Sequence, residues 1–384
     1  MQVVDLRPGR RSTPPTIELW ASTGAELVRA AAALTRNPCD GFDVGDDRLA
    51  ELSGRLDDGV RDHLLAQPEE FWLHLTSLVA RLEEPGTAED LLTMLDARPL
   101  EVWRILFEQP LGDFGQSAPE RWRADLGDGP AAEQEAEAVL DRYLAGDADA
   151  DEVRAWVESL PDSDKLTAML DPLLSDAPAA IVGELHATLT AIHRTVGAEM
   201  LAEAIGPMQR EVVARRKQLE AGRHPGELVV EATNGYELSD DLPVERVLLL
   251  PSYWFRPWLI INRIDAVEVL TSPVSDEHLA LPSAAPSPAL VKLTKALGDE
   301  GRLRLLRRMG GGPITLADAM GELDLAKTTA HHHLSILRQA GLVVIRGEGR
   351  DSRYALRAHA PTAANKALED YLGSAVPLVE GEAG

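Results

Sequence analysis

Between Leu290 and Leu356 the apolar residues keep a helical spacing, broken at glycines, and then switch to an alternating one. In "ALVKLTKALGDEGRLRLLRRMGGG", Leu290, Leu293 and Leu297 share one side of a helix. Leu303 and Leu306 are expected to face inward on a second helix, split from the first near Gly298 and stopped by Gly310, Gly311 and Gly312. "ITLADAMGELDL" reads as a short helix with Thr315 as N-cap and Asp318 three residues later. "DLAKTTAHHHLSILRQAG" reads as the next helix, ended by Gly341. "LVVIRGEGRDSRYALR" then places two apolar strands around a Gly/Glu/Asp turn, which is a hairpin.

Helix, helix, short helix, turn, helix and hairpin is the order of a winged helix-turn-helix. The expected recognition helix covers about 326–340 and the wing 346–353. The segments "LTKALGDEGRLRLLRRM", "TTAHHHLSILRQAGLV" and "EGRDSRYAL" resemble the ArsR-type winged-helix regulators, over about 70 residues and with several motifs in the right order. The resemblance implies a sequence-specific DNA-binding transcriptional regulator, a repressor, acting as a homodimer. It implies dimerisation through the first and last helices of the module, here about Leu290–Leu297 and Thr362–Leu372.

Three consecutive histidines, His331, His332 and His333, raise the question of a metal. Neighbouring helical residues are about 100° apart, so three of them fan over roughly 200° and cannot converge on one ion. Ala326, Ala330, Leu334, Leu337 and Gly341 define the buried face. Thr328, His332, Ser335 and Gln339 fall opposite, with His331 near them, while His333 flanks the core and reads as structural. Short polar residues on an outward face suit a helix in a major groove, with base contacts concentrated in the first turn. The candidate DNA-binding residues are therefore Lys327, Thr328, Thr329, His331, His332, Ser335 and Arg338. Arg346, Arg350 and Arg353 of the wing are added for phosphate or minor-groove contact.

No metal or other cofactor is expected. Family-type metal sensing would call for ligands that this chain lacks: "TLADAMGELDL" has no cysteine, and "PTAANKALEDYL" offers Glu369 and Asp370 without a histidine, with His359 standing alone before it. Asp147, Asp149, Asp151 and Glu158 mimic part of a calcium loop, but Glu152 occupies the position where glycine makes the turn. That run reads better as the first turn of the helix "DEVRAWVESL", whose dipole favours carboxylates.

The rest of the chain differs in charge. Residues 289–357 carry twelve Lys/Arg and seven Asp/Glu, about +5. The tail from Ala358 carries about −3, so the total of −25 leaves about −27 on residues 1–288. A small basic module behind a large acidic one suggests two different partners. Residues 1–16 read as a flexible N-terminus. An acidic sensor or interaction domain follows over 17–272, helical to 222 and stranded over 227–272. A Pro-rich linker spans 273–288, the DNA-binding domain 289–374 and a tail 375–384.

Within the acidic region, Phe71, Leu75, Leu78 and Leu82 line one helix face. Ile181, Leu185, Leu189, Ile192, Val196 and Met200 line another. Gly206-Pro207 is expected to break or bend that second helix, and Gly222 to end it. "GELVVEA", "VERVLLL" and "AVEVLTS" read as strands. The fold class expected is mainly α with small β elements: a winged helix-turn-helix behind a larger helical or α+β domain. That larger region resembles, more loosely, long N-terminal regions of some actinobacterial regulators.

The chain is read as cytoplasmic and nucleoid-associated. The lone Cys39 excludes an internal disulfide, the N-terminus lacks a signal-peptide core, and prolines and arginines interrupt the apolar segment from Arg246 to Ile264. No catalytic motif is present: neither G-x-S-x-G nor a P-loop, H-E-x-x-H or G-x-G-x-x-G occurs. Tyr253, Trp254, Phe255 and Trp258 form a core, an interface or a ligand pocket. Three roles for the large region stay open at this level: sensing a small-molecule effector, mediating protein contacts only, or fused catalysis.

Overall fold

The computed structural model describes residues 15–35, 42–67, 69–117, 130–160, 163–238, 244–279, 288–346 and 353–357. In chain order they begin with β1 (Thr16–Leu19), α1 (Thr23–Thr35), α2 (Asp46–Ser53), α3 (Asp58–Ala66) and α4 (Glu69–His74). After the 3-10 turns of Leu75–Arg81 come α5 (Ala88–Ala97), α6 (Pro99–Ser117), α7 (Pro130–Ala145), α8 (Ala150–Ser159) and α9 (Ser163–Leu170). Next are α10 (Pro178–Ile192), α11 (Ala198–Glu220), α12 (Pro225–Ala232), β2 (Tyr236–Glu237), β3 (Arg246–Ser252), β4 (Ile260–Ile264) and β5 (Val267–Pro273). The chain continues with α13 (Pro288–Leu297), α14 (Glu300–Met309), α15 (Leu316–Leu323), α16 (Lys327–Gln339), β6 (Val343–Arg346) and β7 (Arg353–Leu356). The fold is mainly α with small sheets, as the sequence implies. Among the described residues no helix is long and apolar enough to cross a membrane.

The chain forms two compact units, and neither is continuous. One comprises Arg11–Lys217 and Pro243–Val274; the other includes Gln218–Leu242 and Ser275–Gly384. Of the linker expected over 273–288, residues 280–287 lie outside the described residues. Gln218–Leu242, which the sequence reading put in the acidic domain, groups with the winged module instead.

The N-terminal unit is helical around one sheet of order β1-β3-β5-β4. β1, β3 and β5 run parallel and β4 antiparallel to β5. A parallel strand covered on both faces has no solvent side, which explains the unbroken apolar run "VLLLPS" of β3. β1 lies in a stretch where the sequence signalled no strand. Gly206-Pro207 does not break α11, which runs through Pro207. Ala204, Met208 and Val212 are buried on either side of the proline, and that packing offsets the missing N–H.

α1, "TGAELVRAAAALT", carries two fully buried charges. Glu26 accepts from the backbone N–H of Tyr253 (2.9 Å) and Trp254 (2.8 Å), just beyond β3. Arg29 donates to the Thr271 hydroxyl of β5. Burial pushes the Glu26 carboxyl up, against the Arg29 charge and the hydrogen bonds it accepts. Burial pushes the Arg29 guanidinium down to about 9, with Glu26 opposing. Trp254 and Phe255 of the aromatic cluster are core residues: the Trp254 indole donates to the Met200 carbonyl at 2.8 Å, and Phe255 meets Phe42 edge-on at 5.3 Å. The acidic run at 147–152 caps a helix. Asp149 accepts from the Glu152 N–H at 2.9 Å, and Asp151 and Glu152 sit in the first turn of α8.

In the second unit, α13 and α14 divide at Gly298 as expected, and Leu290 and Leu293 are buried. Leu303 is not inward: it is 47% exposed, and Leu305 and Met309, four residues apart, take the core side of α14. The stretch 226–232, expected as a strand, is helix α12. His224 caps it by accepting from the Gly226 N–H, and Pro225 occupies its first turn. β2 then joins the wing, giving a three-stranded sheet of order β2-β6-β7.

The six tryptophans among the described residues lie in the N-terminal unit, and the winged module's segments 218–242 and 275–384 contain none, so tryptophan emission is used to follow that unit. Glu26→Ala strips two buried N–H groups of their acceptor. Loss of about 2–5 kcal/mol is expected in urea denaturation followed by tryptophan emission, with Glu26→Gln milder because its amide oxygen still accepts.

Candidate nucleic-acid interface

α15 is built as its sequence signals. The Asp318 N–H donates to the Thr315 hydroxyl at 3.1 Å, and the Thr315 N–H donates to the Asp318 carboxylate at 2.8 Å. The Thr315 N–H, and then the Thr315 hydroxyl, which also donates to the carboxylate at 2.8 Å, hold the Asp318 carboxyl below its ordinary value. The helix ends at Asp324, in the left-handed region at φ 54°, and α16 begins after two intervening residues, at Lys327. A helix, a tight turn and a second helix are thereby fixed by short-range chemistry.

α16 has one fully buried stripe of Ala330, Leu334 and Leu337. These pack into the core with Leu305, Ile314, Ala319, Val343 and Tyr354. Ala326, assigned to that stripe from the wheel, is the N-cap residue and is exposed. Lys327, Thr328, Thr329, His331 and His332 are all exposed, so the N-terminal half of α16 presents a continuous polar surface. His331 is solvent-accessible along one side, yet its ring is crowded. Desolvation first, then the Arg338 and Lys327 cations and His332, hold its imidazole below the ordinary value.

His333 is half-buried, with Nδ1 3.7 Å from Asp299 Oδ1. Burial pushes its imidazole down; Asp299 opposes, and Arg302 and His332 add to the lowering. Asp299 is itself the N-cap of α14, accepting from the Arg302 N–H at 2.9 Å. His333 thus joins α16 to the start of α14. Among the described residues no group of three His, Cys, Asp or Glu side chains could hold a metal ion. His359, Glu369 and Asp370 lie outside the described residues.

Two expected contact residues are turned away from the surface. Ser335 and Arg338 are each only 7% exposed. Gln339 donates to the Ser335 hydroxyl at 3.3 Å, and Arg338 donates to the Thr233 carbonyl at 2.9 Å. Burial brings the Arg338 guanidinium down to about 10. The reason is a neighbour that the sequence reading placed in another domain: residues 233–235 cover the C-terminal half of α16. Asn234 donates from Nδ2 to the Gln339 carbonyl at 2.6 Å, and the Ile345 N–H of β6 donates to the Gly235 carbonyl at 2.8 Å. An Asn-Gly pair is a local turn signal, but its partners a hundred or so residues away leave no mark in the sequence.

In the wing, Arg353 is exposed on β7 and pairs in register with Arg346 of β6. The tip with Arg350 lies outside the described residues, as does the expected last helix at 362–372. Arg304, Arg307 and Arg308 of α14 are also exposed, and sequence reasoning did not single them out. Arg308 of α14 and Arg353 of β7 both add to the lowering at the Asp318 carboxyl.

A family model described as a helix-turn-helix domain matches residues 297–346. The chain is 41% identical over 68 residues to the HTH-type transcriptional regulator CmtR of Mycobacterium tuberculosis, covering 18% of this chain and 58% of that protein. It is 34% identical over 68 residues to the uncharacterized HTH-type transcriptional regulator YceK of Bacillus subtilis, covering 17% of this chain and 68% of that protein. It is 31% identical over 81 residues to the arsenical resistance operon repressor of Escherichia coli, covering 21% of this chain and 69% of that protein. The match thus spans little more than half the length of CmtR. No solved structure matches the chain.

His331 and His333 are held neutral more readily than in an unfolded chain, where the value is about 6.5. Below that value the unfolded state binds more protons, so stability falls with falling pH and is fully present only above it. Hydrogen exchange over α16, corrected for its intrinsic pH dependence, should quicken from pH 7.5 to pH 5.5. Replacing both residues with Asn should remove most of that change.

Proposed function

The chain belongs to the ArsR-type family of winged helix-turn-helix regulators, and on that premise we propose that it reads operator DNA with the N-terminal half of α16. One observation carries the reading. Lys327, Thr328, Thr329, His331 and His332 form an exposed polar row on a helix whose other side is locked in the core. Such a helix can enter a major groove of about 12 Å without exposing apolar surface.

Thr328 and His332 reach base edges; Lys327 and Thr329 flank them at the helix start, where phosphates pass. Arg353, with Arg346 and Arg350, contacts phosphate from the wing. Ser335 and Arg338 are not in this contact set. The name of the Escherichia coli relative supports a repressor. The protein works in the cytoplasm, on the nucleoid, as a homodimer, so its operator is a pseudo-palindrome with half-sites one or two helical turns apart. The surplus of negative charge on the N-terminal unit does not forbid this, because charges more than roughly 10 Å apart are largely screened at 0.1 M salt.

The test is selection of duplexes from a randomised pool by the full-length chain, followed by sedimentation of the protein free and on the selected duplex. Enrichment of a two-fold symmetric sequence bound by a dimer is expected. No enrichment, or a monomer on DNA, overturns the reading. On the selected duplex, Thr328→Ala and His332→Ala should each cost about 1–3 kcal/mol and relax preference at one position per half-site. Arg353→Ala should weaken all sequences alike and lower the slope of log affinity against log salt by about one.

A further inference from the structure

α12 and β2 come before the linker in sequence, yet they are built into the winged module. β2 runs parallel to β6, with Tyr236 opposite Ile345 and Glu237 opposite Arg346. Tyr236 is fully buried there. The same segment meets α16 at two points and β6 at a third. The Thr233 carbonyl takes the Arg338 guanidinium, Asn234 holds the Gln339 carbonyl, and the Gly235 carbonyl takes the Ile345 N–H at the start of the wing. Glu231 of α12 partly offsets the lowering that burial imposes on Arg357, next to β7. The backbone at the contact is specialised. Asn234 has φ 55°, which Asn tolerates better than most residues. Gly235 has φ 113°, and a Cβ there would lie 2.9 Å from the Val343 carbonyl oxygen. The strand cannot come this close to β6 with any other residue at 235.

We infer that Thr233–Glu237 is a positioning strap for the DNA-reading surface. It fixes the C-terminal end of α16 and the base of the wing relative to each other, with Asn234 and Arg338 as its two side-chain clamps. The inference rests on the DNA-reading role proposed above and assigns Arg338 to alignment rather than contact. A module cut at the linker would lack the strap, its buried Tyr236 and the acceptor for Arg338. The segment follows α12, which itself follows α11, and the residues of α11 up to Lys217 belong to the N-terminal unit.

Alignment and mere folding leave different signatures. A loss of folded protein lowers affinity for every duplex by the same factor. Misalignment of α16 against the wing lowers affinity for the matched sequence and spares the phosphate-driven remainder. Full-length Asn234→Gly keeps the backbone conformation and removes one clamp. Arg338→Met removes the other with a side chain of similar length, and Gly235→Ala pushes the strand off β6. Each is titrated with the duplex selected by the unmodified chain and with a scrambled duplex of equal length, at several salt concentrations.

We expect about five- to twentyfold weaker binding of the selected duplex, with a smaller loss on the scrambled one and an unchanged salt slope. Faster hydrogen exchange should appear in the last turn of α16 and in β6. Equal losses on both duplexes, or no loss in Asn234→Gly and Arg338→Met, overturn the strap. If the unmodified chain fails to tell selected from scrambled DNA, the DNA reading falls and takes this inference with it. If the unmodified chain discriminates and the variants do so equally well, only the strap falls.

Discussion

With Ala330, Leu334 and Leu337 excluded from water, α16 cannot turn about its axis. Each buried leucine contributes about 1.5–3 kcal/mol. Rotating the helix by one residue would expose both and bring a histidine or an arginine to the core. Against a total stability of about 5–15 kcal/mol for a domain, that rotation is forbidden. Every surface property of the module follows from this one restriction. Lys327, Thr328, Thr329, His331 and His332 face outward because the leucines do not. His333 falls at the boundary, close enough to Asp299 to tie α16 to the cap of α14.

Much of this was legible locally. The Thr315–Asp318 cap, the stop at Gly341, the break at Gly298 and the hairpin all rest on contacts within a few residues, and the sequence displays such contacts directly. The errors have physical causes as well. "GELVVEA" is a short apolar run, and at that length periodicity does not separate a buried strand from a helical turn or two. His224 and Pro225 were the better signals, since both serve a helix N-terminus. Leu303 is a leucine like its neighbours, but the spacing of Leu305 and Met309 decides the face. Ser335 reads as outward, and Arg338 as a contact residue, when α16 is given one packed side; the strap supplies a second. Nothing near Arg338 in sequence reveals Thr233. Likewise Glu26 and Arg29 look like solvent charges until one sees that the rest of α1 is nearly all apolar, the mark of a helix buried all round.

The N-terminal unit handles burial differently from the winged module. Its parallel strands leave no solvent face, so polar groups at their ends must be satisfied inside. Glu26 does so for the backbone beyond β3. Arg263 and Glu268, both nearly fully buried, face each other at 3.1 Å across β4 and β5. Such pairs add little net stability over apolar packing, but removing one partner is costly. They restrict how the strands can register, and that fits a unit assembled from two separated stretches of chain.

The interleaving of the two units sets an order of events during synthesis. The N-terminal unit has all its residues once Val274 has left the ribosome. β2 emerges earlier still, but its partner β6 follows roughly a hundred residues later, about 5–20 s at ordinary translation rates. Through that interval Tyr236 has no sheet to enter, and the open edge of β2 is available to any extended chain nearby. The N-terminal unit thus has all its residues while the winged module still lacks its wing, and the newborn protein passes through a stage at which only one of its two units can close.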